Sequence, residues 1–108
     1  MDKDVLSQVR KLKALPGIGE YKIGITGSYA RGTETEESGI DIVIDINMLS
    51  LEQLELIRSK FNREIDIIQL KLLAEEDKEL DEFTLEEGLP LNENSAYKSI
   101  CREVIWID

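Results

Sequence analysis

The 108-residue sequence has no histidine and one cysteine, Cys101. Without imidazole there is no histidine base, proton shuttle or metal ligand, which excludes serine and cysteine hydrolases of the usual design. A single thiol forms no internal disulfide and leaves no cysteine cluster for structural zinc. Basic residues are also scarce, 13 against 23 acids, for a net charge of −10. A surface of that sign repels phosphate backbones, so nucleic acid is not the expected partner. No apolar run approaches the roughly 18 residues of a membrane span, and no signal-peptide pattern opens the sequence. The expected setting is cytoplasmic, without membrane contact. The chemistry left available belongs to carboxylates, hydroxyls, arginine, lysine and backbone amides.

What is present suits one domain over residues 1–108, since an apolar fraction of 42% is ordinary for a globular chain of this length. The acidity is concentrated. Residues 75–87 hold eight acids (Glu75, Glu76, Asp77, Glu79, Asp81, Glu82, Glu86, Glu87) against Lys78 alone. That run is an acidic elaboration within residues 71–94. It reads as a solvated face or, more specifically, as a surface for a basic protein partner.

Hydrophobic periodicity sets the order of elements. Val5, Val9 and Leu12 mark an amphipathic helix over residues 3–15, ended by Pro16-Gly17. Tyr21–Thr26 reads as a strand, and Tyr29-Ala30-Arg31 as the start of a short helix. Ile40–Ile46 is a strand with four isoleucines on one face and Asp41, Val43 and Asp45 on the other. Ser50-Leu51-Glu52-Gln53 is a capping box that opens a helix carrying Leu54, Ile57 and Phe61. After a turn at Asn62-Arg63, Glu64–Leu70 reads as a third strand. Residues 71–87 fit either a charged helix with a weak stripe of Leu73, Leu80 and Phe83 or an acidic loop, and Gly88-Leu89-Pro90 ends them. Tyr97, Ile100, Cys101 and Val104 fit a final helix, followed by a short strand over Val104–Ile107. This order predicts one small mixed sheet flanked by helices, an α/β (α+β) fold.

Between the first two strands lies the segment that carries chemistry. A strand that ends in Gly27-Ser28 and turns into a helix offers free amides, a small hydroxyl and a positive helix end, all attractive to phosphate. Arg31 adds a fixed positive charge. A Gly-Ser turn alone is common, and a loop before a helix is its plainer reading. More weight comes from Asp41 and Asp66, carboxylates in otherwise apolar strands joined by a helical crossover. Such residues cost free energy unless paired or metal-bound, and together they suit a magnesium ion that bridges phosphate oxygens.

The spacing Gly27-Ser28-x-x-x-Gly32, then Ser38-x-x-Asp41 and a later Asp66, resembles the minimal nucleotidyltransferases of the DNA polymerase beta-like nucleotidyltransferase superfamily. The similarity covers residues 20–70 well and 95–107 loosely. It implies a nucleotidyltransferase fold and a magnesium-dependent transfer of a nucleoside monophosphate from a nucleoside triphosphate, ATP, to a hydroxyl. It further implies that Gly27 and Ser28 hold the triphosphate, that Arg31 and Ser38 support the site, and that Asp41 and Asp66 bind Mg2+. Many minimal members are antitoxins paired with a helical HEPN-type toxin, some by adenylylating a toxin tyrosine. That implies a HEPN-type partner here, either as acceptor or as the target of a catalytically weak binding protein.

One position departs from the family pattern. Its first motif aspartate falls on Gly39. Asp45 lies about 13 Å along the strand from Asp41, too far for a metal cluster that spans roughly 4 Å. Glu36 and Glu37 sit in the preceding loop, where they would have to curl back, and Glu64 would need an unusual reach. Elsewhere, Trp106 is expected as a core or edge anchor, and Cys101 as a small buried residue on the apolar face of the last helix.

Overall fold

The computed structural model describes residues 2–107. Its elements run α1 (Lys3–Leu12), β1 (Ile23–Thr26), α2 (Ser28–Arg31), β2 (Ile40–Ile44), α3 (Leu51–Ser59), β3 (Ile65–Gln69), α4 (Leu70–Glu86), α5 (Ala96–Glu103) and β4 (Ile105–Ile107). The strands form one mixed sheet in the order β3-β2-β1-β4, with β2 and β3 parallel and the other neighbours antiparallel. The α/β nucleotidyltransferase-type arrangement expected from the sequence is therefore present.

The isoleucine face of β2 organises the core. Ile40, Ile42 and Ile44 are fully buried and meet Val5, Val9 and Leu12 of α1, Ile57 of α3, and Ile23 and Ile25 of β1. Full burial of one such side chain contributes about 1.5–3 kcal/mol, so this one face supplies much of the cohesion of the sheet. Each helix that covers it starts from a satisfied cap. The Asp2 carboxylate accepts from the amides of Asp4 and Val5. Ser50 and Gln53 exchange the reciprocal bonds of a capping box, as their spacing predicts. Helix α3 then supplies the crossover that a parallel β2–β3 pair requires.

Several element boundaries differ from the periodic reading. Helix α1 stops at Leu12 because a series of tight turns precedes and follows Pro16, among them bonds from the amides of Leu15 and Ile18 to the carbonyls of Leu12 and Leu15. β1 is shorter than Tyr21–Thr26, beginning at the Ile23–Ile44 pair, and β2 ends at Ile44, two residues before Ile46, at its last pair with β3. Residues 71–87 form a helix and not a loop, and Leu70, expected as the last strand residue, is its first turn. Helix α5 ends at Glu103, with Val104 extended as the cap.

Cys101 corrects an expectation: it is exposed. The periodicity of α5 is real, but the helix packs as an outer layer against α4 and contains no fully buried residue. Trp106 lies on edge strand β4 as an anchor, its ring over Gly24 and 5.7 Å from the Lys22 ammonium. A Cβ at Gly24 would come within 2.7 Å of Val104 Cγ2 and 3.0 Å of the indole, so the close fit of β4 on β1 requires glycine there. Among the described residues, no helix is long and apolar enough to cross a membrane.

Candidate functional site

Strand register assembles the site. Thr26 of β1 pairs with Asp41 of β2, and Asp41 pairs with Asp66 of β3. Alternation places all three on the face opposite the isoleucines, in one row across the sheet. Neighbouring strands are about 4.8 Å apart, so Asp41 and Asp66 face the same small volume. Asp41 is half-buried, Asp66 exposed and Thr26 buried.

The turn after β1 closes over this row. Gly27 has φ 77°, a conformation that glycine adopts without steric cost. A Cβ at this position would sit 2.1 Å from Asp41 Oδ2. The absence of a side chain at Gly27 is thus what lets the Asp41 carboxylate lie against the backbone. Helix α2 is a single turn, Ser28–Arg31, whose Arg31 amide donates to the Gly27 carbonyl. So short a helix has little macrodipole. Its contribution is the set of first-turn amides that have no intrahelical acceptor. Tyr29 pins the turn to the core, being 2% exposed, and its hydroxyl accepts a hydrogen bond from Arg63.

Electrostatics single out Asp41. Partial burial, then the like charge of Asp66 and hydrogen bonding with it, raise the pKa of Asp41 above the usual carboxylate range. The Arg31 guanidinium opposes this, which places a cation within electrostatic reach of the pair. Arg31 also forms an exposed ion pair with Glu103 at 3.1 Å, tying the turn to the end of α5. An isolated carboxylate pair of this kind is uncomfortable at neutral pH, and a divalent cation relieves it.

The residues expected from the sequence are not all gathered at one point. Gly27, Ser28 and Arg31 lie on the turn beside Asp41, with Asp66 in register next to it. Ser38 points elsewhere: its hydroxyl accepts from the Thr35 amide at 2.9 Å and braces the loop. It lines a cleft of about 460 Å³ with Tyr29, Glu34, Asn62 and Arg63. Among the described residues, no side chain takes the place of the family's first aspartate. Glu36, Glu37 and Glu64 are exposed, and no group of three metal-ligating side chains occurs among the described residues. Asp45 lies just past the far end of β2, where its amide donates to the Lys22 carbonyl.

Two carboxylates still fit a magnesium ion. Mg2+ binds through one or two carboxylates and completes its shell with water and substrate phosphates. The donor set of Asp41 and Asp66 matches that requirement for one ion, while a second ion lacks a protein ligand at Gly39. The sequence places Thr26, Tyr29 and Arg63 in a strand, a helix start and a turn, and assigns none of them a role at the site. The hydroxyl in the final strand position before Gly27, alternating with Gly24, is the signal that marks Thr26 for the carboxylate face. Nothing local marks the Tyr29–Arg63 contact, which spans 34 positions.

Comparison with known families agrees with this geometry. The nucleotidyltransferase domain model matches residues 5–99, which include the Gly27–Ser28 turn, both aspartates and the acidic helix α4. No curated protein gives a significant match. By sequence pattern, sheet topology and family match together, the chain belongs to the nucleotidyltransferase domain family of the DNA polymerase beta-like superfamily.

Proposed function

We propose that the protein binds a nucleoside triphosphate, ATP, with Mg2+ over the Gly27–Ser28 turn, and transfers the nucleoside monophosphate to a hydroxyl in an AMPylation-type reaction. The observation that carries this reading is the register pairing of Asp41 with Asp66 directly beneath a turn whose glycine leaves room for the carboxylate. Bound there, Mg2+ would supply charge neutralisation for the phosphates. The chain's own residues account for the rest. The amides of the first turn of α2 and the Ser28 hydroxyl hold phosphate oxygens, and Arg31 balances their charge. The acceptor hydroxyl oxygen attacks the α-phosphorus, the bond from that phosphorus to the oxygen bridging to the β-phosphate breaks, pyrophosphate leaves with that oxygen, and the hydroxyl proton passes to solvent.

A second reading is favoured by Gly39 and by the lack of a third carboxylate beside the pair among the described residues. It is a nucleotide-fold binding protein with little or no turnover, the antitoxin-like partner of a HEPN-type toxin. Both readings share nucleotide binding and separate on transfer.

The test is titration with ATP in the presence and absence of Mg2+, followed by label transfer from α-labelled ATP to a candidate acceptor. Metal-dependent binding that disappears in Asp41→Ala supports the site. Label transferred by the unaltered chain supports the enzyme, and transfer only after Gly39→Asp supports the binding protein. Undiminished ATP binding in Asp41→Ala and Asp66→Ala would sink both.

A further inference from the structure

Helix α4 presents a face that the fold leaves uncovered. Leu73, Leu80 and Phe83 stand at i, i+7 and i+10 and share one side of the helix. Leu73 is partly buried, but Leu80 and Phe83 are 63% and 59% exposed. Beside them a groove of about 120 Å³ runs between α4 and α5, lined by Leu73, Glu76, Leu80 and Tyr97. Soluble domains seldom leave adjacent large apolar side chains bare without a partner to cover them.

The charge around this ridge is predominantly acidic. Glu75, Glu79, Glu82 and Glu86 follow one another at i+4, i+3 and i+4, so they form a stripe along the side of the helix next to Phe83, with Lys78 among them. None of the four has an ion-pair partner among the described residues. Across the ridge, Asp77 and Asp81 are already occupied by Lys98, at 3.9 and 3.1 Å. The last turn of α4 has no basic residue, and Glu86 and Glu87 sit at its carbonyl end. That is the unfavourable orientation for the helix dipole, which prefers cations there. An incoming cationic surface would correct both defects together.

We propose that the Leu73–Leu80–Phe83 ridge and its glutamate stripe form a docking surface for a basic amphipathic helix of another protein. Its apolar side would cover Leu80 and Phe83 and enter the α4–α5 groove, while its Lys and Arg residues meet the glutamates. A second copy of this chain is the wrong occupant, because it would bring eight acids and one lysine of residues 75–87 against the same eight acids. The surface is distinct from the nucleotide site and gives the binding-partner reading a place to act. Its test therefore reads peptide and nucleotide separately, so that either can fail alone.

The probe is a fluorescein-labelled helical peptide of leucine and lysine with its leucines on one face. Two controls accompany it: a permuted peptide of equal composition without an apolar face, and a leucine–glutamate version. Binding to the full chain is followed by anisotropy at several salt concentrations. The amphipathic basic peptide should bind at least tenfold more tightly than the permuted one, and the acidic version should not bind. Leu80→Ser with Phe83→Ser should weaken binding tenfold or more without altering ATP affinity. Glu79→Gln with Glu82→Gln and Glu86→Gln should weaken it and flatten its salt dependence. Both apolar side chains are mostly exposed, so the serine variant should retain the native circular dichroism spectrum. If it does not, Leu80→Asn alone serves the same comparison. Equal binding of the permuted peptide, or undiminished binding by the serine or asparagine variant, would overturn the proposal. So would a wild-type dimer in sedimentation that the serine substitutions dissolve.

Discussion

Asp66→Asn should make the protein more stable at neutral pH while damaging its site. The two carboxylates sit in register across β2 and β3, about 4.8 Å apart at the backbone. Two unit charges about 5 Å apart repel by roughly 3 kcal/mol at an effective dielectric constant of ~20 and by less than 1 kcal/mol in bulk water. Asp66 is exposed and Asp41 only half-buried, so solvent screening brings the expected gain down to about 0.5–1 kcal/mol. For a domain of this size that is about 2–4 °C in Tm. The pH dependence follows from the raised pKa of Asp41. The folded state binds this proton more readily than the unfolded state. Its contribution is fully present below the unfolded carboxylate range and is lost as pH rises through the folded pKa. Asp66→Asn removes the second-largest cause of that shift, so the advantage of the variant should be present at pH 7 and shrink toward pH 4. Added Mg2+ should raise the Tm of the unaltered chain more than that of the variant. Glu55→Gln, an exposed change of equal charge on α3, controls for the general relief of net charge. Thermal unfolding by circular dichroism at the two pH values decides the matter. A lower Tm for Asp66→Asn at pH 7, or a difference equal to that of Glu55→Gln, refutes the argument.

Other substitutions probe the parts separately. Gly27→Ala would combine a positive φ with a Cβ 2.1 Å from Asp41 Oδ2. It should cost about 2–4 kcal/mol by denaturant titration and lose Mg2+-dependent ATP binding. Gly39→Asp meets only the Glu64 carbonyl, at 3.4 Å, on ordinary backbone. It should fold, and calorimetric titration should show tighter Mg2+ or Mn2+ binding than in the unaltered chain. Ile42→Ala empties a fully buried position at the centre of the sheet and should cost about 2–5 kcal/mol in urea unfolding.

Much of this architecture is legible locally. The isoleucine alternation in β2, the capping box at Ser50 and the amphipathic stripe of α1 are short-range patterns, and the structure repeats them with shifts of a few residues at the ends. The shifts come from pairing partners that the segments themselves do not specify. β1 begins at its Ile23–Ile44 pair, and β2 ends where Ile44 pairs with Gln69, after which Leu70 opens α4. Cys101 shows the same limit from the side of burial. Periodicity places it on the apolar face of α5, but whether a residue is covered depends on what packs there: Tyr97 and Ile100 of that face are partly buried, while Cys101 stays exposed.

The site divides along the same line. Residue types and spacing by themselves carried the membership of the family and the departure from its pattern at Gly39, because these are read from short stretches of the chain. Only tertiary structure decided that Asp41 and Asp66 stand side by side, since a parallel register is set by the helix between the strands. It also decided that the Ser38 hydroxyl bonds to the Thr35 amide, that no group of three metal-ligating side chains forms among the described residues, and that α4 holds its apolar ridge in the open. Each of those outcomes depends on distances between residues far apart in the chain, which periodicity and spacing do not carry.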